Sequence, residues 1–234
     1  MEPTDLEALE GSSLFAELTP EARSALADAA RVRTFERRDF LFHQGEPADQ
    51  FFFIVSGRVK LSQTGADGQE IIVRFVGPGE IMAGVALMAD ALYPVTGTAV
   101  ETSRLLAWPG SEVIRLAEEY SALALFTTRT VTDRMREMQE RFRELATQRV
   151  AQRVARALLR LVRQTGKRTA EGVELDLPLS RQDLAEMTGT TLYSVSRILS
   201  GWESDGLLVT GREKVTIRRP HALVEIAEDL PEGR

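Results

Sequence analysis

From residue 111 to 148 the chain reads "SEVIRLAEEYSALALFTTRTVTDRMREMQERFRELATQ", with no glycine or proline anywhere in the run. A stretch so free of backbone breakers reads as helix, with one interruption near its start. Within it Val131, Met135, Met138, Phe142 and Leu145 recur in steps of four, three, four and three. Ala124 and Thr128 carry the same register upstream with small residues, while the remaining positions are mostly Arg, Glu, Asp and Gln. A heptad stripe this narrow is the seam of a coiled coil. It can pack on the rest of its own chain or pair with a second copy. The strict spacing on a charged helix favours a parallel homodimer through those five residues. Whatever flanks the helix must fold around it.

Upstream, residues 31–108 hold short β-rich runs separated by turn signals: "DQFFFIVSG", "RVKLSQT", the turn "GADGQ", "EIIVRFVGPGE", "VTGTAVE" and "RLLAWP". That rhythm predicts an antiparallel sandwich or barrel. Downstream, "VAQRVARALLRLVRQTG" reads as an amphipathic helix and "VELDLPLS" as a short strand. Ser180, with Asp183 three residues on, caps the helix "RQDLAEMT", which ends at Gly189. A second helix follows within a few residues, and "DGLLVTGREKVTIRRP" then reads as a hairpin. Helix, short glycine turn, helix, hairpin is a winged helix-turn-helix.

The second of those helices, within "TGTTLYSVSRILSGWESDGLL", carries two specified faces. Val195, Ile198, Leu199 and Trp202 form one helical stripe, and Tyr193, Ser196, Arg197 and Ser200 another. The apolar stripe docks on the preceding helix. The polar one points to the DNA major groove, where Arg197 can offer a bidentate fork to guanine and Tyr193 can reach a thymine methyl or a phosphate. Ser196 is small enough to approach a base closely, and Ser194 is a further candidate DNA contact. Thr190, Thr191 and Arg181 are candidates for phosphate contacts.

Charge supports the same reading. The 234-residue chain carries a net −6. Residues 1–148 hold 15 Lys and Arg against 23 Asp and Glu, residues 149–219 hold 13 against 8, and residues 220–234 hold 1 against 4. A basic segment inside an acidic chain suits double-stranded DNA as a partner. No apolar run approaches the roughly 20 residues of a membrane span, and "MEPTDLEALEGSS" lacks the basic and apolar regions of a signal peptide, so a cytoplasmic protein with no membrane partner is expected. The absence of cysteine excludes a cysteine-ligated iron–sulfur cluster, thiol catalysis and thiolate zinc. With only His43 and His221, no metal site is expected, and no nucleophile–base pair or phosphate loop points to an enzyme.

Together, "LFHQGEPADQFFFIVSGRVKL", "GPGEI", the heptad helix, "QRVARALLRL" and "LSRQDLAEMTG…SVSRIL" resemble the cyclic-AMP receptor protein / fumarate–nitrate regulator (Crp/Fnr) superfamily of bacterial transcription factors, over residues 14–220. The resemblance implies an α+β protein: an N-terminal antiparallel β-roll effector domain with short N-terminal helices (1–110), a dimerisation helix (111–148), and a C-terminal winged helix-turn-helix (149–220) ahead of an acidic tail (221–234). It implies RNA polymerase as a further partner. It also places the effector pocket around Gly79, Glu80, Ile81, Met82, Ala83, Gly84, Pro94, Val95, Thr96 and Met138. Cyclic-nucleotide-binding members carry Gly-Glu and then Arg-Ser in this region. Here Ala83 and Gly84, then Pro94 and Val95, occupy those positions. A cyclic phosphate buried without its arginine is left unpaired, which makes cyclic AMP an unfavourable ligand. "YPVTGTA" resembles the nitric-oxide and denitrification regulators, some of which are thought to use haem. An apolar lining of Ile81, Met82, Val85, Leu87, Met88 and Val95 would accept haem, another small molecule, or no ligand. His43 is the one histidine of the β-domain, expected at the surface. The reading helix departs as well: Tyr193 stands where oxygen-regulator relatives have Glu, whereas Ser196 and Arg197 match them. The competing reading is a β-roll interaction protein with a vestigial winged helix.

Overall fold

The computed structural model describes residues 2–82, 84–88 and 90–229, including the main chain but not the side chain of Leu87. Three helices open the chain: α1 (Pro3–Glu10), α2 (Ser13–Ala16) and α3 (Pro20–Asp28). The strands that follow are β1 (Arg31–Phe35), β2 (Phe40–Phe42), β3 (Gln50–Ser56), β4 (Val59–Thr64), β5 (Glu70–Val76), β6 (Ile81–Met82), β7 (Thr96–Ala99) and β8 (Ser103–Pro109). A 3-10 turn, Gly84–Leu87, lies between β6 and β7. These strands make two antiparallel four-stranded sheets, ordered β1-β8-β3-β6 and β2-β7-β4-β5.

The run "FFFI" in β3 is apolar at every position because both faces of its sheet are covered. Phe52 and Ile54 face a core between the two sheets, with Phe42, Val59, Val76, Tyr93 and Leu105. Phe51 and Phe53 face the other way, into a core with Leu9, Phe15 and Leu26 from the opening helices and with Leu106 and Trp108. The Trp108 indole N–H donates to the Leu26 carbonyl at 2.7 Å, so the buried ring keeps its polar atom satisfied. Asp5, fully buried, accepts from Arg104 Nε at 2.6 Å and Nη2 at 3.0 Å and from the Glu2 amide at 2.7 Å. The Arg104 bonds hold its carboxyl below the usual carboxylate range against the opposing effect of burial.

The breaker-free segment is helical with one interruption. α4 (Gly110–Glu119) and α5 (Ser121–Thr147) meet at Tyr120, whose backbone is extended. Leu123 and Phe126 of α5 join the helix-covered core of the β-domain. The heptad residues lie on a different face: Val131, Met135, Met138, Phe142 and Leu145 are all exposed. The chain divides by packing into residues Met1–Glu137 and Met138–Arg234, a boundary inside α5 instead of the expected boundaries at 110 and 148. The physical reason is that α5 packs at its two ends on different neighbours. Its start is buried with the sheets, while Glu144 near its end, 3% exposed, is bound by Arg160 of the following helix.

The second unit continues with α6 (Val150–Thr165), β9 (Gly166–Thr169), β10 (Gly172–Leu175), α7 (Arg181–Thr188), α8 (Leu192–Ser204), β11 (Leu208–Gly211), β12 (Lys214–Ile217) and α9 (Pro220–Glu228). Its strands form an antiparallel sheet ordered β11-β12-β10-β9. The acidic tail expected from 221 onward is corrected here: α9 is part of the domain. Leu223 and Ala227 are buried, Arg156 Nε donates to the Ala227 carbonyl at 3.1 Å, and Arg156 pairs with Glu228 at 2.9 Å. Counting charge over 220–234 hid an amphipathic helix whose acids stay on the outer side. Residues 230–234 lie outside the described residues.

Candidate nucleic-acid interface and effector region

Capping chemistry fixes the helix-turn-helix. Ser180 Oγ accepts from the Asp183 amide at 3.0 Å while Asp183 accepts from the Ser180 amide at 2.8 Å, closing a reciprocal box at the start of α7. The helix stops at Gly189, whose φ of 58° and ψ of 48° are left-handed and cost a side-chain-bearing residue about 1–2 kcal/mol. The half-buried Thr190 donates its amide to Ala185, and Thr191 caps α8 by accepting from the Ser194 amide at 3.2 Å. The Thr191 and Ser194 hydroxyls also meet at 3.0 Å, so these two side chains are committed to the cap.

Along α8 the two stripes separate as their spacing predicts. Val195, Leu199 and Trp202 are buried, with Ile198 half-buried beside them. On the other face Tyr193 is 77% exposed, Arg197 and Ser200 are exposed, and Ser196 is half-exposed. Arg197 makes no hydrogen bond or ion pair with any described residue. This face offers a guanidinium, a phenol and hydroxyls that nothing within the described chain uses. Leu192, at the first position of α8, is a further exposed apolar side chain that the stripe pattern did not single out.

Arg181 behaves differently from the free cation that a phosphate contact suggests. Its Nη2 donates to Thr210 Oγ1 at 3.1 Å and lies 3.5 Å from Glu203. Glu203 in turn accepts from both the amide and the hydroxyl of Thr210 at 2.7 Å. Those bonds, above all the hydroxyl, hold the Glu203 carboxyl below its ordinary range, with Arg181 adding to the effect. The cluster fastens the C-terminal end of α8 to the wing strand β11.

Sequence reasoning missed the arginines of α6. Arg149, Arg153, Arg156, Arg160 and Arg163 recur in steps of four, three, four and three, and that periodicity was the available signal. Arg153 donates to the carbonyls of Gln148 at 2.9 Å, Thr188 at 3.0 Å and Gly189 at 3.4 Å. Arg160 Nη1 grips both oxygens of Glu144, at 2.8 and 2.9 Å.

In the β-domain the expected effector residues scatter. Met82, Val85 and Val95 belong to the inter-sheet core, so they fill space rather than line an opening. Pro94 is exposed, and its carbonyl accepts from Gln63 Nε2 at 3.3 Å. Thr96 Oγ1 accepts from the Gln44 amide at 3.0 Å. Gly84 starts the 3-10 turn, Ala83 lies outside the described residues, Met88 is exposed, and Met138 is an exposed residue of the second unit. Only Gly79, Glu80 and Ile81 border a cleft, of about 380 Å³, whose other walls include Arg129, Asp133, Arg134 and Glu137 of α5. Charged side chains dominate this cleft, while Ile81 and Phe126 are its apolar members. Glu80 accepts from the buried Arg74, from the Gly77 amide at 2.9 Å and from Arg134 at 3.3 Å. Burial pushes the Arg74 guanidinium down, and the Glu80 charge opposes that shift. His43 is exposed and its ring lies 4.5 Å from that of Phe40, as its surface placement required. It does not face the inter-sheet core.

The profile described as "Cyclic nucleotide-binding domain" matches residues 32–120, and "Crp-like helix-turn-helix domain" matches residues 152–226. The Global nitrogen regulator of Nostoc is 30% identical over 197 residues, covering 82% of this chain and 87% of that protein. The chain belongs to the Crp/Fnr family. This is a family of transcription regulators, not of enzymes, and its helix-turn-helix makes a DNA-free interaction protein the less favoured reading. The Cyclic AMP receptor protein of Thermus thermophilus, another Crp/Fnr relative, is 28% identical, covering 95% of this chain and 100% of that one. FixK2 from Bradyrhizobium japonicum shares the fold, with a TM-score of 0.74 at 22% identity over 88% of this chain and 98% of its own. Crp/Fnr regulators bind DNA and typically act as dimers. Among the described residues no helix is long and apolar enough to cross a membrane.

Proposed function

We propose that this Crp/Fnr regulator works as a homodimer in the cytoplasm, joined along Val131, Met135, Met138, Phe142 and Leu145, and reads an inverted repeat with one α8 in each half-site. The observation that carries the reading is the face of α8 where Tyr193 and Arg197 stand exposed and Arg197 has no described partner. Arg197 reads a guanine in each half-site through its bidentate fork, and Tyr193 sets the preference at a neighbouring base. Half-site centres fall about 10 base pairs apart, one helical turn. RNA polymerase is the partner through which such a dimer affects transcription.

Selection of binding sites from random duplex DNA tests this. Arg197→Ala costs about 1–3 kcal/mol per half-site and relaxes the preference at one base. Tyr193→Glu, which restores an acceptor for an exocyclic amine, shifts a neighbouring base. Arg181→Ala, by releasing Glu203 and Thr210 and so loosening the end of α8 on β11, lowers operator binding more than random-duplex binding. An Arg197→Ala protein with the wild-type preference at every position refutes the assignment.

A further inference from the structure

The guanidinium of Arg153 gathers three backbone carbonyls from two places distant in sequence. Gln148 lies in the link between α5 and α6, whereas Thr188 and Gly189 are the last residue of α7 and the turn before α8. These are groups that a helix end leaves without intrahelical partners. Three donors in a planar fork fix both distance and orientation, which a flexible ammonium does not. The same turn is held from a second side. A Cβ on Gly189 would stand 2.9 Å from Leu145 Cδ2, so the last turn of α5 lies against the glycine. Glu144, one residue earlier, is locked to Arg160, about two turns beyond Arg153 on the same face of α6.

We infer that Arg153 is a positioning residue for DNA reading: it ties the turn preceding α8 to the end of α5, so that the angle of the reading helix follows the seam helix. The inference rests on the assignment of α8 as the DNA-contacting helix. Arg153 is half-buried and its donors are taken up by carbonyls, so it acts through the turn and not on a phosphate. Discrimination between sequences needs base-edge contacts held in place, whereas attraction to phosphates tolerates misorientation. Loss of Arg153 therefore removes specificity before it removes affinity.

The 234-residue protein and its Arg153→Met and Arg153→Lys variants are titrated with the selected operator and with a random duplex over a series of salt concentrations, with thermal melting to confirm folding. Arg153→Met is expected to weaken operator binding by about tenfold or more, the scale of one charged hydrogen bond. Random-duplex affinity and salt slope stay at wild-type values, and Arg153→Lys, with fewer aligned donors, falls between. Equal loss on both duplexes with a shallower salt slope makes Arg153 a phosphate contact and overturns the inference. So does an unchanged ratio of operator to random binding in Arg153→Met. If that variant melts below the assay temperature, Arg153→Lys decides: a wild-type ratio there refutes the need for the fork. A wild-type protein with no preference for any duplex removes the reading of α8 itself, an outcome distinct from a discriminating wild type matched by its Arg153 variants.

Discussion

Replacing Met138 and Phe142 together by glutamate separates the dimer without unfolding the protomer. In the single chain these side chains are 67% and 74% exposed, so neither contributes much to the protomer's own core. Full burial of a Met or Phe side chain is worth about 1.5–3 kcal/mol. Covering the exposed share of both residues on two protomers therefore contributes about 4–8 kcal/mol to association. The double substitution removes that and adds four carboxylates facing one another along a seam from which water is largely excluded. At about 1.4 kcal/mol per decade, the dissociation constant rises by about 10³ or more. Sedimentation equilibrium reads the change directly, and the melting temperature of the variant reports whether the protomer is intact. Operator affinity is lost together with the dimer, because two half-sites must be engaged at once. A variant that stays dimeric at wild-type concentrations refutes the seam. So does one that loses its fold, since that would mean the stripe packs on its own chain.

Glu144→Ala strands the half-buried Arg160, whose Nε already lacks a hydrogen-bond partner, and lowers stability by about 3–5 kcal/mol in thermal denaturation. An unchanged melting curve sinks that account of how the end of α5 is held. Asp5 has a folded pKa below its unfolded value, so its contribution is present above about pH 4 and is lost as pH falls through the folded value. Melts of wild type and Asp5→Asn therefore converge toward low pH. A gap that stays constant from pH 6 to pH 3 would contradict the Asp5–Arg104 pairing. Cyclic AMP at micromolar concentration should give no heat of binding in calorimetry, because no arginine stands at Pro94 or Val95 and Arg74 is already paired with Glu80. Micromolar binding would show that a cyclic phosphate finds a cation there all the same.

Periodicity carried the sequence reading wherever one residue's environment follows from its neighbours along the chain. The seam of α5, the two stripes of α8, the Ser180–Asp183 box and the glycine turn are local patterns of three, four and seven residues, and backbone geometry turns them into faces without reference to anything distant. The β-domain was legible as strands and turns for the same reason. What the chain's own order does not contain is which face meets which. Apolar residues around 81–95 look alike whether they line a pocket or fill a core, and only the stacking of two sheets assigned Met82 and Val95 to the core. Arg181 reads as a free cation until the fold brings Glu203 and Thr210, distant in sequence, to its guanidinium. Arg153 and Arg160 look like solvated helix charges until the fold places the carbonyls of residues 188 and 189 and the carboxylate of Glu144 against them. Helix α9 was hidden because net charge averages over a face that is acidic and a face that is not. Faces come from the local period of the chain, while long-range electrostatic and packing partners are set by the closure of the chain on itself, which no window of sequence encloses.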